Sequence, residues 1–299
     1  MLDKSGILVV NKPKGISSFG VVSSMKKILN CKKVGHCGTL DPLATGVLPI
    51  LLGKATKALQ FMPDTKKIYI ASFRLGITTD TQDALGKILT RSDFSISRSA
   101  CEGALSKFIG EILQIPPMYS ALKKNGKCLY QFAREGIEIL RQPRPIFIYK
   151  MKLTDFNEDT GFGKFVTECS SGTYMRTICH DLGQKLGCGA IMTDLIRINS
   201  CGFSIKNSIT LEKIEESPKN AQNALFELDS LFSIYHKINV SAAQTFRFKC
   251  GGALALDRLK IFHGIKNNEI LRVYDPEEKF VGLGKILEQE HKLAVLKSF

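Results

Sequence analysis

The chain has 299 residues, 42 Lys plus Arg against 28 Asp plus Glu, a formal net charge of +14 and 44% hydrophobic residues. That content builds a sizeable core and excludes a disordered chain, while the charge favours a polyanionic partner. Nine cysteines without a C-x-x-C pair read as reduced thiols, with spacing for neither a disulfide framework nor a zinc site, and no segment approaches 18 uninterrupted apolar residues. A cytoplasmic protein with no metal and no membrane contact is expected.

The positive charge is front-loaded, because residues 1–60 hold nine lysines and only two acids, Asp3 and Asp41. Ile7 to Val10 reads as a short buried strand, ended by the breakers Asn11 to Gly15. Ser17 or Ser18 then caps a helix to about Asn30 with Phe19, Val22, Met25, Ile28 and Leu29 on its apolar face. Val47 to Gly53 reads as a strand and a short helix follows through Phe61. Lys67 to Gly76 is a strand whose alternation puts Tyr69, Ala71 and Phe73 on one face. A turn-rich piece, Thr78 to Gly86, follows.

Helices are expected at about 97–109 and 127–134, the second inside a basic stretch, Lys123 to Arg144, suited to a protruding arm or to plain exposed surface. Ile146 to Tyr149 and Lys164 to Cys169 form a strand pair about the turn Glu158 to Gly161. Ser170 to Thr173 then cap a helix from Tyr174 to Leu186 that closes at Gly187. Residues 211–237 read as helical or irregular. From 239 onward, short apolar runs alternate with Gly and Asp-Pro turns, as in a small β-barrel.

One stretch stands apart: Gly35 to Gly46, GHCGTLDPLATG, with a single carboxylate among glycines and small apolar residues. A phosphate-binding loop fails on spacing, since Leu48 stands where Gly is needed and Ala55 follows Lys54; a serine hydrolase fails because no G-x-S-x-G is present. By itself, an Asp before Pro is either a turn former bonded to its own backbone or a functional carboxylate that needs a partner when buried. The neighbouring glycines would let a ligand backbone approach closely.

The stretches GILVVNKPKGISS, GHCGTLDPLATGVLPI, KIYIASFRLGITTDTQDALG, QIPPMYSALKKNGKCLYQFAREGIEI and CSSGTYMRTICHDLGQKLGCGA resemble, in order and spacing, the tRNA pseudouridine-55 synthases of the synthase B family. The resemblance covers about residues 5–210. It implies an α+β fold: a mixed, mainly antiparallel sheet in a pseudouridine synthase catalytic domain over 1–237, with an RNA-binding thumb-like insertion at about 119–144. Lys279 to Gly284 resemble part of a PUA domain, which implies a small β-barrel-like RNA-binding domain over 238–299.

The implied activity is conversion of uridine to pseudouridine at position 55 of the T loop, with the T-arm stem-loop of tRNA as partner. No cofactor and no obligatory protein partner are expected. By the same resemblance Asp41 is the nucleophile, Arg176 of the G-T-Y-x-R-T motif is its ion-pair partner, and Tyr69 stacks on the base and exchanges its proton. His36, Leu195, Tyr174 and Lys12 are the expected substrate-binding residues. Cys37, His180 and Ile196 depart from the family pattern, which usually has Thr, an acid and Arg there. Two other readings use the same residues: a tRNA-elbow chaperone without catalysis, and a guide-RNA-dependent synthase.

Overall fold

The computed structural model describes residues 5–260, 264 and 266–299. The N-terminal unit is built on β1 (Gly6–Lys12), β2 (Thr45–Leu52), β3 (Lys67–Leu75), β4 (Gly110–Gln114), β5 (Arg144–Phe156), β6 (Phe162–Cys169) and β7 (Ala190–Ser200), with helices α1 (Ser18–Ile28), α2 (Arg98–Ser106), α3 (Leu129–Arg134) and α4 (Met175–Lys185). The strands lie in the order β1, β2, β7, β3, β6, β5, β4, and short segments, Ile209–Thr210 among them, extend the sheet. Neighbours are antiparallel except β2 with β7 and β1 with Ile209–Thr210. The sheet is therefore mixed and mainly antiparallel, as expected.

Sequence alternation places the core correctly at β3, where Tyr69, Ala71 and Phe73 are buried together. Phe73 stands 6.1 Å from the rings of both Phe156 and Phe165, and burying one such side chain contributes about 1.5–3 kcal/mol. Helices α1, α2 and α4 cover this face. The opposite face of β1 and β2, through Ile7, Val9, Val47 and Leu51, packs against Phe232, Phe280, Leu283 and Phe299. That contact joins the N-terminal sheet to the C-terminal unit.

The C-terminal unit is a five-stranded sheet rather than a closed barrel. It orders β8 (His236–Asn239), β10 (Ile270–Tyr274), β11 (Phe280–Leu287), β12 (Lys292–Ser298) and β9 (Leu254–Ala255). Its own core holds Ile238, Phe248, Leu271, Val273 and Ile286. The boundary expected at 237/238 falls inside β8. Among the described residues no helix is long and apolar enough to cross a membrane.

Three local expectations change. Phe19 is 70% exposed; the apolar face of α1 instead runs through Val21, Val22, Met25 and Leu29, because Ser17 caps the helix and sets its phase. Helix α4 has Tyr174 at its N-cap with no side-chain cap bond, while Thr173 Oγ1 donates to the Ser170 carbonyl in a separate turn. The glycine of the motif that geometry most requires, Gly46, is needed for protein rather than ligand. Its φ is +101°, and a β-carbon there would meet the Arg197 carbonyl well inside contact distance, where β2 and β7 run parallel.

Gly46→Ala should therefore destabilise the protein by about 2–4 kcal/mol, from left-handed strain plus overpacking against backbone. Urea unfolding of the variant checks this, and an unchanged midpoint would mean that the two strands separate freely there.

Candidate active site

Residues 37–44 carry no regular structure and are fixed by bonds to their backbone. The Cys37 amide donates to Pro49 O at 2.9 Å, and the Ala44 amide to Asp41 O at 3.0 Å. Ser18 Oγ accepts from the Leu40 amide at 2.7 Å and lies 3.0 Å from Leu40 O. The Gly15 amide donates to Pro42 O at 2.7 Å. The turn after β1 and the start of α1 thereby grip the loop on both sides of Asp41.

A buried guanidinium grips it from below. Arg197, on β7, is fully buried and donates from Nε to Val47 O at 2.8 Å, from Nη1 to Thr39 O at 3.2 Å and from Nη2 to Gly38 O at 3.1 Å. All three acceptors are carbonyls of the loop or the strand leaving it. Sequence reading missed this residue, because an Arg in a run without clean alternation reads as surface. Its signal was its place two residues after Leu195, itself singled out.

Arg176, in the first turn of α4, is only 4% exposed. Its Nε lies 2.8 Å from Asp41 Oδ2, and its Nη2 donates to Asp41 Oδ1 at 3.2 Å. Of the two contacts only the Nη2 one is aligned as a hydrogen bond. Nη1 donates to Thr81 O at 3.1 Å and Nη2 also to Tyr119 O at 2.8 Å. Asp83, buried, has Oδ2 3.8 Å from Arg176 Nε, while its Oδ1 accepts from Thr81 Oγ1 at 2.6 Å and from the Leu85 amide at 3.0 Å. The guanidinium thus ties the helix, the Thr78–Gly86 turn and the base of the 119–144 segment to one carboxylate. The Asp41 side chain keeps 33% exposure, which leaves it reachable from outside.

Tyr69 is buried, with Arg197 opposite it on β7 and Thr167 opposite it on β6. Burial pushes its phenol above the ordinary value, partly offset by Arg197. Leu195, on the same face, is buried opposite Ala71. Tyr174 is half-buried, its backbone clipped to Gln114 at 2.8 and 3.1 Å, and burial raises its phenol. His36 is half-buried; burial and then Arg197 push its imidazole down, so it is neutral near pH 7. Its Nδ1 is buried without a hydrogen-bond partner.

Lys12 is placed differently from its expected contact with RNA. It is fully buried, and Nζ donates to Pro13 O at 2.8 Å, Ile16 O at 2.7 Å and Pro42 O at 3.4 Å. It is a cross-brace of the loop, with no face left for a phosphate. Among the described residues, no group of three possible ligands converges on a metal position.

Burial pulls the Lys12 ammonium from 10.5 to about 8, against Asp41 and with Arg197. The unfolded chain then binds the extra proton between pH 8 and 10.5, so this group adds stability as pH rises through that window and the effect is flat below it. Urea unfolding should show wild-type protein gaining on Lys12→Met from pH 8 to 10.5. A constant difference would mean that Lys12 titrates as a surface lysine does.

Comparison with known proteins places the chain in a family. The family model described as TruB family pseudouridylate synthase (N terminal domain) matches residues 26–175, and the tRNA pseudouridylate synthase B C-terminal domain matches 176–233. The tRNA pseudouridine synthase B of Clostridium acetobutylicum is 46% identical over 97% of this chain and 99% of its own length, and that of Clostridium tetani 44% over 98% and 99%. A solved Cbf5-Nop10-Gar1 complex superposes with a TM-score of 0.75 at 26% identity, over 98% of this chain and 84% of its own. With two adjoining family models and near full-length relatives, the chain belongs to the TruB family of pseudouridylate synthases.

Proposed function

We propose that this protein isomerises uridine to pseudouridine at position 55 in the T loop of tRNA, with Asp41 as the group that acts at C1′. The observation that carries the reading is the Asp41–Arg176 pair: a carboxylate reachable from outside, held by a guanidinium that is itself buried. Family membership supplies the reaction class, and the relatives named tRNA pseudouridine synthase B support tRNA as the substrate.

The chemistry fits one carboxylate. The N1–C1′ bond breaks, the uracil turns, C5 bonds to C1′, and the proton on C5 is lost while N1 regains one. No atom is gained or lost and no electron is exchanged. A carboxylate at C1′ serves as nucleophile or as counter-charge to an oxocarbenium-like centre. Tyr69 supplies a flat apolar face for the base; burial keeps its phenol neutral, so it acts by stacking and by handing on a proton rather than as a phenolate base. His36, Leu195 and Tyr174 are assigned to holding the nucleotide beside Asp41 and Tyr69. Reaching C1′ inside a folded loop requires extruding the nucleotide, at a few kcal/mol of lost stacking. The 119–144 segment, tied to Arg176 through Tyr119 O, and the C-terminal sheet, read as a PUA-like RNA-binding domain, are the parts proposed to offset that cost. A cytoplasmic location follows from tRNA as substrate.

A tRNA transcript incubated with the protein, then mapped by carbodiimide-blocked primer extension, should give a new stop in the T loop. Asp41→Asn should abolish that stop while tRNA affinity stays within about threefold, and affinity should fall with salt by about 0.7–0.9 log units per log unit of salt for each phosphate contact. Absence of the stop with wild-type protein would sink the reading. Loss of binding together with the stop in Asp41→Asn would remove Asp41 from the chemistry, and dependence on an added guide RNA would favour the guided alternative.

A further inference from the structure

Two adjacent lysines at the start of β3 have opposite fates. Lys66 is 56% exposed and paired with Glu168 at 2.8 Å on the outer face of the sheet. Lys67 points to the same face as Tyr69, two residues on, and is half-buried. Its register partner is Cys169, which is fully buried. Among the described residues, no carboxylate lies within ion-pair distance of its ammonium.

The ammonium instead meets another cation. A β-carbon at Gly38 would stand 3.6 Å from both Lys67 Nζ and Arg197 Nη1, so the two charges flank the underside of the loop three residues before Asp41. Every hydrogen bond of Arg197 goes to a carbonyl, so it brings no counter-charge with it. Burial and then Arg197 depress the Lys67 ammonium, while Cys201, Cys169 and, most weakly, Asp64 oppose them. Enclosing an ammonium beside a guanidinium with no carboxylate in reach is costly, and a fold keeps such an arrangement where an anion arrives later.

We infer that Lys67 is the seat of a phosphodiester oxygen adjoining the extruded nucleotide, reached across the bare backbone of Gly38. This rests on the proposed function. Lys67 and Tyr69 stand about 6.6 Å apart along the strand, a span that one nucleotide bridges with its base on Tyr69, its C1′ toward Asp41 and its phosphate on Lys67. The absent side chain at Gly38 leaves the approach clear. The two neighbouring buried cations are already committed to backbone, Lys12 to three carbonyls and Arg197 to three.

The test uses the full chain with tRNA and with a T-arm stem-loop carrying one neutral methylphosphonate on the 5′ or the 3′ side of the target uridine. Lys67→Met should lower kcat/KM and affinity by about 10–100-fold, and Lys67→Arg should restore most of it. On one of the two methylphosphonate RNAs the wild type should lose the same factor, and Lys67→Met should lose nothing further. That RNA identifies which phosphate is seated. Thermal unfolding should find Lys67→Met at least as stable as wild type, because no protein partner is removed.

Wild-type affinity and turnover in Lys67→Met would overturn the inference. So would losses that multiply on both RNAs, or a less stable Lys67→Met, either of which assigns the lysine to the fold alone. If wild-type protein forms no pseudouridine, the functional reading fails, and the affinities still decide the seat.

Discussion

Buried guanidinium is what turns an irregular loop into a fixed platform. A loop of eight residues has no ladder of its own to hold it, and its carbonyls would otherwise depend on water. Arg197 takes two of those carbonyls, and Val47 O on the strand leaving the loop, with a planar fork that cannot lose its proton. Arg176 takes the carboxylate and two further carbonyls from segments far apart in the chain. Either charge would be prohibitive inside the protein without those acceptors, so the loop and its arginines are conditions of one another.

The same logic explains why so much of the sheet is bent to one purpose. Strand β7 lies at the centre, between β2 and β3, and brings both Leu195 and Arg197 under the loop. Helix α4 starts beside Gln114 of β4, whose side chain clips both backbone groups of Tyr174. That clip substitutes for the missing cap at the helix start. Arg176 is thereby delivered, itself buried, from the helix end nearest the loop to a carboxylate that stays partly open.

Legibility in the sequence followed exposure. Strands with one polar face, such as β3 and β6, showed their alternation and were predicted near their true bounds, and the helices at α1, α2 and α4 were predicted from caps and apolar spacing. The central strand β7, AIMTDLIRINS, showed none, because it is covered on both faces, carries buried Arg197 and shifts register against β3 twice. Edge strand β4 was missed for the opposite reason, as its five residues alternate weakly. Asp41, Tyr69 and Arg176 were found by resemblance, and the structure brings Arg176 onto Asp41; nothing in the residues alone tells Arg176 from a surface arginine. Lys12 misled because a lysine in a Gly-Pro turn looks solvent-facing, and only three converging carbonyls make it internal.

Cys37 shows why a departure inside the motif leaves the site intact. Its contribution to the loop is its backbone amide, bonded to Pro49 O, and any residue but proline supplies that. Its side chain turns away from Asp41 into the apolar cluster with Val47, Leu51 and Cys201 behind the sheet. There a hydrogen bond with Cys201 and burial hold the Cys37 thiol well above its ordinary range, so it stays neutral as a threonine hydroxyl would. The second thiol stands in the turn just past β7, on the strand that carries Arg197. The same hydrogen bond pushes the Cys201 thiol down to about 6, so the pair remains a polar contact between the loop and the end of β7, and the guanidinium does the rest of the fastening.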